Sequence, residues 1–180
     1  MSSVLKHKRD DFMIKSELFY EQPIEIVRGE GVWLWDHIGR RYLDCYNNVA
    51  SVGHCHHRVV EAITKQVKRL NTHTRYLHQN VIEFAEKLTG LMPDGLDVAM
   101  FTCTGTEANE LAMRIARTIS GKNGIIVSKS AYHGNSTLVH ELSTCKYDPA
   151  DIPSHVATIT APNPYRTEGD MSGEVGAAIA

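Results

Sequence analysis

Val98-Ala99-Met100-Phe101-Thr102-Cys103-Thr104-Gly105-Thr106-Glu107-Ala108-Asn109 is the stretch on which the fold turns. Residues 98–103 form a short apolar run of strand type, placed just after the chain breaker Pro93-Asp94-Gly95. Beyond Thr106 the period changes: Ala108, Leu111, Ala112, Ile115, Ala116 and Ile119 recur on one helical face, and Gly121 offers a stop. The segment predicts a strand running into a helix through a tight, glycine-bearing turn. That is the unit from which α/β folds are assembled.

A helix start presents unpaired backbone N–H groups and the positive end of the macrodipole, so an anion placed there gains hydrogen bonds and a favourable charge interaction. Gly105 allows close approach to the backbone, Thr106 offers a hydroxyl, and Thr104 stands at the turn itself. These three residues are candidates to seat a phosphate. The same hexapeptide also reads as a plain cap, with Thr104 or Thr106 closing the helix, Glu107 and Glu110 offsetting the dipole, and Glu110 pairing with Arg114. It is not a P-loop, because no Gly-Lys-Ser/Thr follows, and it lacks the G-x-G-x-x-G of a dinucleotide fold.

Downstream, residues 125–127 read as a buried strand, residues 137–142 as a helix, and residues 156–160 as another strand, which implies a parallel sheet with right-handed crossovers. Between the first of these strands and the helix lies Ala131-Tyr132-His133-Gly134. Tyr132 is a candidate to lay its ring over a planar ligand, a contact that contributes about 0.5–1.5 kcal/mol beyond area burial. Lys129 reads as solvated. The chain closes on residues 174–180, a helix beginning with no strand behind it, and the sheet is expected to be incomplete.

Upstream, residues 24–28 and 32–35 are strand-type runs separated by Gly29-Glu30-Gly31 and followed by the turn Asp36-His37-Ile38-Gly39, a small antiparallel meander. From Arg58 onward Val60, Ile63, Val67 and Leu70 keep helical spacing, and a second helix is expected over residues 80–91.

The composition is that of an ordinary globular chain, with 42% hydrophobic and 22% charged residues. A formal charge of −2, from 19 basic and 21 acidic side chains, gives no field that would draw nucleic acid or an anionic membrane. No apolar run approaches the roughly 20 residues of a membrane-spanning helix, and no secretory leader is apparent. Cys45, Cys55, Cys103 and Cys145 are scattered and make no C-x-x-C pair, which fits a reducing, cytoplasmic setting.

Several of these residues together resemble the class III aminotransferases, pyridoxal-phosphate (PLP) enzymes of fold type I. Arg41-Tyr42-Leu43-Asp44 with Gly53-His54-Cys55-His56 resembles the family's Y-L-D and G-H-x-H signature, except that His57 stands where a proline usually follows. Thr104 to Asn109 resembles its S-G-S-E-A-N phosphate cup, and Tyr132-His133-Gly134 its Y-H-G loop. The wording at Tyr42 to Cys45, Asn47 to Ala50 and Leu70 to Thr72 is similar to the branch that contains ethanolamine-phosphate phospholyase.

The resemblance implies an α/β fold, an incomplete PLP-dependent transferase major domain whose mostly parallel sheet is flanked by helices, with a small N-terminal β segment. Residues 1–55 would belong to the small domain and residues 56–180 to the first part of the large one. It implies PLP as cofactor, held by Thr104, Gly105, Thr106, Tyr132 and His133, and a substrate pocket whose lip includes Asn47, Asn48, Val49 and His78. The expected partners are a small-molecule amino donor and a 2-oxo acid acceptor, in a homodimer. The family's covalent lysine and its acidic partner lie beyond the Y-H-G loop and do not occur here, so the 180 residues alone are expected to be inactive. Two rival readings stand beside it. One is a metal-binding hydrolase built on His54, Cys55, His56 and His57. The other is a non-catalytic interaction fragment that uses uncovered apolar faces.

Overall fold

The structure, a computed structural model, describes residues 2–15, 18–47, 50–161, 163, 165 and 172–179. Its contacts divide the chain into two units, Met1–His78 and Gln79–Ala180.

The first unit opens with α1 (Ser2–Phe12). The sequence reading has no helix here because no apolar stripe marks one. Lys6 and Asp10, one turn apart, pair at 2.6 Å along it. The meander follows as β1 (Ile26–Glu30), β2 (Trp33–Asp36) and β3 (Arg41–Leu43), antiparallel in that order. β1 runs two residues further than the glycines suggest: Gly29 pairs with Leu34 and Glu30 with Trp33, so only Gly31 and Val32 make the turn. Gly29 is needed for a different reason. A Cβ there would lie 2.8 Å from Cγ of His54, whose ring covers the strand. The second turn is held by Asp36, whose Oδ1 accepts from the amides of Ile38 (3.1 Å) and Arg40 (2.8 Å) while Oδ2 accepts from the Tyr42 hydroxyl (2.8 Å). The unit continues with α2 (His57–Arg69). Val60, Ile63 and Val67, the apolar stripe that the period predicts, are all at least half exposed.

The second unit begins with α3 (Gln79–Thr89). Residues 98–103 do not form the predicted strand: they have no ladder partner among the described residues, and Val98 is 90% exposed. An apolar run becomes a strand only when a neighbour accepts its backbone hydrogen bonds. Next come α4 (Gly105–Ser120), β4 (Ile125–Ser128), α5 (Thr137–Glu141), two single 3-10 turns, β5 (Val156–Ile159) and α6 (Ser172–Ile179). β4 and β5 are parallel, with Ile125 opposite Val156 and Ser128 opposite Ile159, as the strand-helix-strand spacing requires. The core sits against this pair: Val127, Val156 and Leu142 are buried, and Met113 from α4, Ile125 and Ile152 pack around them. The architecture is α/β, with a parallel sheet in the second unit and an antiparallel meander near the N-terminus.

Candidate functional site

The turn before α4 is a complete capping box. The Thr104 hydroxyl accepts from the Glu107 amide at 3.1 Å, and the Glu107 carboxylate accepts from the amides of Cys103 (2.7 Å) and Thr104 (3.1 Å). The Thr104 side chain is thereby committed to the cap. No hydrogen bond among the described residues engages the amide of Gly105 or Thr106, so these two are the donors that the helix end still offers. Among the described residues nothing outside the helix's own backbone lies within 4 Å of the point where a Gly105 Cβ would stand, and the approach to them is open. The cap therefore leaves two amide donors of the same turn unspent.

The Tyr132-His133-Gly134 loop is fastened to this helix start. Asn109, one turn into α4, donates its amide to the His133 carbonyl at 2.8 Å. Gly134, at φ 142°, lies so close to Thr106 that a Cβ on it would meet Oγ1 of Thr106 at 2.6 Å and Cα at 3.0 Å. The Thr106 hydroxyl donates to Oδ1 of Asn135 at 3.4 Å. Glu110 accepts from the Ser136 hydroxyl of the same loop, where the sequence reading paired it with Arg114. Tyr132 is 61% exposed, with the Lys146 ammonium 6.0 Å from its ring centroid. Nε2 of His133 is buried and has no partner among the described residues. Lys129 is exposed but does not stand free in solvent, because its ammonium donates to Oγ1 of Thr160 at 3.1 Å. Asn135 and Ser143, which shape this loop, escaped the sequence reading because neither lies in a motif. Asn109 lay inside one, with no sign of what it would hold.

Asn47 and His78 belong to the first unit, and Asn48 and Val49 lie outside the described residues. The Asn47 amide donates to Oδ1 of Asp44 at 2.9 Å, and the Tyr46 amide donates to the same oxygen at 3.0 Å. His78 is 3.3 Å from the Gln66 amide nitrogen through Nε2. Oδ2 of Asp44 faces Nε2 of His54 at 2.6 Å, and the His54 backbone exchanges hydrogen bonds with Gly31 at 2.8 and 3.0 Å. The Tyr-Leu-Asp and Gly-His segments thus form one clasp across the meander. His56 and His57 stack on each other, and among the described residues no three His, Cys, Asp or Glu side chains are grouped to hold a metal ion.

The Asn47 amide, with His54 and the Tyr46 amide, holds the Asp44 carboxyl far below the ordinary carboxylate range. A pKa lowered on folding adds stability above the unfolded value of about 3.9 and loses it as pH falls through the folded value. Asp44→Asn is therefore expected to melt below the parent at pH 7, with the gap closing as pH drops below about 4. Thermal unfolding monitored by circular dichroism across this range checks it. A gap independent of pH would mean that the carboxylate charge contributes nothing.

Residues 18–174 match the family model described as aminotransferase class-III. An alanine–glyoxylate aminotransferase 2-like protein of Drosophila melanogaster is 44% identical over 133 residues, covering 73% of this chain and 27% of the fly protein. Among solved structures, an Arthrobacter phospholyase in complex with phosphoethanolamine superposes with a TM-score of 0.80 at 40% identity, covering 98% of this chain and 41% of that one. The taurine:2-oxoglutarate aminotransferase of Bifidobacterium kashiwanohense, in complex with PLP and glutamate, shares the fold at a TM-score of 0.72 and 21% identity, with coverage of 98% and 42%. The chain spans less than half the length of each of these relatives.

Proposed function

The chain belongs to the class III aminotransferase family, and from that premise we propose that it is the N-terminal part of a PLP enzyme that moves an amino group from an amine or amino acid to a 2-oxo acid. The family uses PLP, which when bound supplies the electron sink that amino-group chemistry needs. The observation that carries the reading is the start of α4, where two uncommitted amides and an open glycine face stand beside the Thr106 hydroxyl.

In this reading Gly105 and Thr106 hold the phosphate, and Thr104 shapes the turn as its cap. Tyr132 covers one face of the ring, with His133 beside it. Asn47, Asn48, Val49 and His78 border the substrate. The small-domain and large-domain assignment of residues 1–55 and 56–180, the homodimer, the cytoplasmic location and the inactivity of these 180 residues alone belong to the same proposal. Lys129, tied to Thr160, is not the lysine that would hold the cofactor covalently, which is expected outside these residues. Four exposed free cysteines suit a reducing compartment.

A second reading is favoured by one observation. The 40% identity and 98% coverage against the Arthrobacter phospholyase make carbon–oxygen bond cleavage in a phosphorylated amino alcohol the alternative reaction of the same site. PLP titration of the full-length protein, followed by absorbance, is expected to show saturable binding. With phosphoethanolamine, released inorganic phosphate marks the lyase; with an amino donor and a 2-oxo acid, a new amino acid marks the transferase. A protein that binds no PLP defeats both.

A further inference from the structure

Tyr132 stands in a loop with little of its own to steady it. Its side chain is largely exposed, and Ser130, two residues earlier, has a φ of 59°, a conformation that costs a non-glycine residue free energy. Yet the amides on both sides of Tyr132 are caught by two consecutive hydroxyls. The Ala131 amide donates to Oγ1 of Thr144 at 3.1 Å, sharing its proton with the Ser128 carbonyl at 3.3 Å, and the His133 amide donates to Oγ of Ser143 at 2.9 Å.

Each hydroxyl is anchored in turn. Thr144 donates to the Ser128 carbonyl at 3.1 Å, at the end of β4. Ser143 has the carbonyls of Val139 (2.9 Å) and Gly134 (3.2 Å) within reach of its single proton. The Cys145 amide donates to the Ala131 carbonyl at 3.1 Å, and Lys146 stands over the Tyr132 ring. Ser143 is wholly buried and Thr144 is 6% exposed. Residues 143–145 thus turn two hydroxyls and one amide onto a loop some ten positions earlier, where they hold Ala131 and His133 on either side of Tyr132. A mobile tyrosine would lose most of its stacking contribution to the freedom it gave up on binding.

Resting on the PLP reading above, we propose that Ser143 and Thr144 are positioning residues: they fix the backbone on both sides of Tyr132 and so set the ring against the cofactor plane. They touch neither cofactor nor substrate and act through Tyr132. The penalty for losing them is bounded by the stacking contribution itself, about threefold to tenfold in affinity.

The test uses the full-length protein with PLP, in the variants Ser143→Ala, Thr144→Val, Thr144→Ser and Tyr132→Ala, and in the Ser143→Ala/Tyr132→Ala double variant. Two quantities are read: the PLP dissociation constant, and the circular dichroism induced in the absorption band of the bound cofactor at saturation. Ser143→Ala and Thr144→Val are expected to bind about threefold to tenfold more weakly and to show a reduced induced signal per bound PLP. Thr144→Ser, which keeps the hydroxyl, restores both. In the Tyr132→Ala background Ser143→Ala adds little, because the residue it positions is gone. Should Ser143→Ala fail to fold, the near-isosteric Thr144→Val and its serine counterpart decide the matter alone. Parent-like affinity and dichroism in both hydroxyl-deleted variants, or a penalty that adds in full to that of Tyr132→Ala, overturns the proposal while leaving the PLP site standing. Absence of PLP binding in the parent overturns both together.

Discussion

Thr106→Glu is expected to raise the PLP dissociation constant by about 100-fold or more. The substitution sets a carboxylate beside the Gly105 and Thr106 amides, at the seat proposed for a phosphate dianion. Two unit charges about 4 Å apart repel by roughly 4 kcal/mol at an effective dielectric constant of 20. Even discounted to about 3 kcal/mol for the open face at Gly105, that is two powers of ten in affinity. The fold should bear the change, since an acidic side chain in the first turn of a helix interacts favourably with the macrodipole. Thr106→Ala, which deletes one hydroxyl and adds no charge, should cost about tenfold or less. Fluorescence or absorbance titration with PLP measures both, and far-ultraviolet dichroism confirms that α4 persists. A folded Thr106→Glu protein with parent affinity removes the phosphate from this helix end.

The second large effect is one of stability. Gly134→Ala should lower the melting temperature by about 10 °C or more, whereas Gly105→Ala, at the other glycine of the site, should leave it nearly unchanged. Gly134 has φ 142°, and an added Cβ would collide with Thr106 and with Cγ2 of Val139 at 2.8 Å. Strained backbone costs about 1–3 kcal/mol and overpacking a similar amount. For a unit of about 100 residues each kcal/mol corresponds to roughly 4–8 °C. At Gly105 the added methyl meets nothing within 4 Å among the described residues, and alanine is the better helix former. Any loss at that position should fall on PLP affinity alone. Scanning calorimetry of the two variants side by side makes the comparison. A Gly134→Ala protein that melts within a couple of degrees of the parent would show that the loop yields and that its contact with Thr106 is not tight.

Much of this was legible in the residues. Apolar patterning placed α2, α3, α4, β4, α5 and β5 to within a few positions, because each segment carries its own apolar pattern along the chain, whether or not the structure buries that face. Local pattern failed where it was not the deciding force. α1 has no apolar stripe to announce it. Residues 98–103 have the composition of a strand but no neighbour among the described residues to complete the ladder. Gly29, which looked like a strand breaker, stays inside β1 because the His54 ring needs the space above it.

The sequence by itself determined the family, the place of most elements between β1 and β5 and the glycine-bearing helix start, since these depend on residues adjacent along the chain. The tertiary structure settled which threonine caps that start: Thr104 with Glu107, a contact local to one turn, which leaves Gly105 and Thr106 open. It alone brought Ser143 and Thr144 back to the amides flanking Tyr132. The reason is physical: a buried hydroxyl takes whichever backbone group the packing places within 3 Å of it, and no local pattern encodes a partner ten or more residues away.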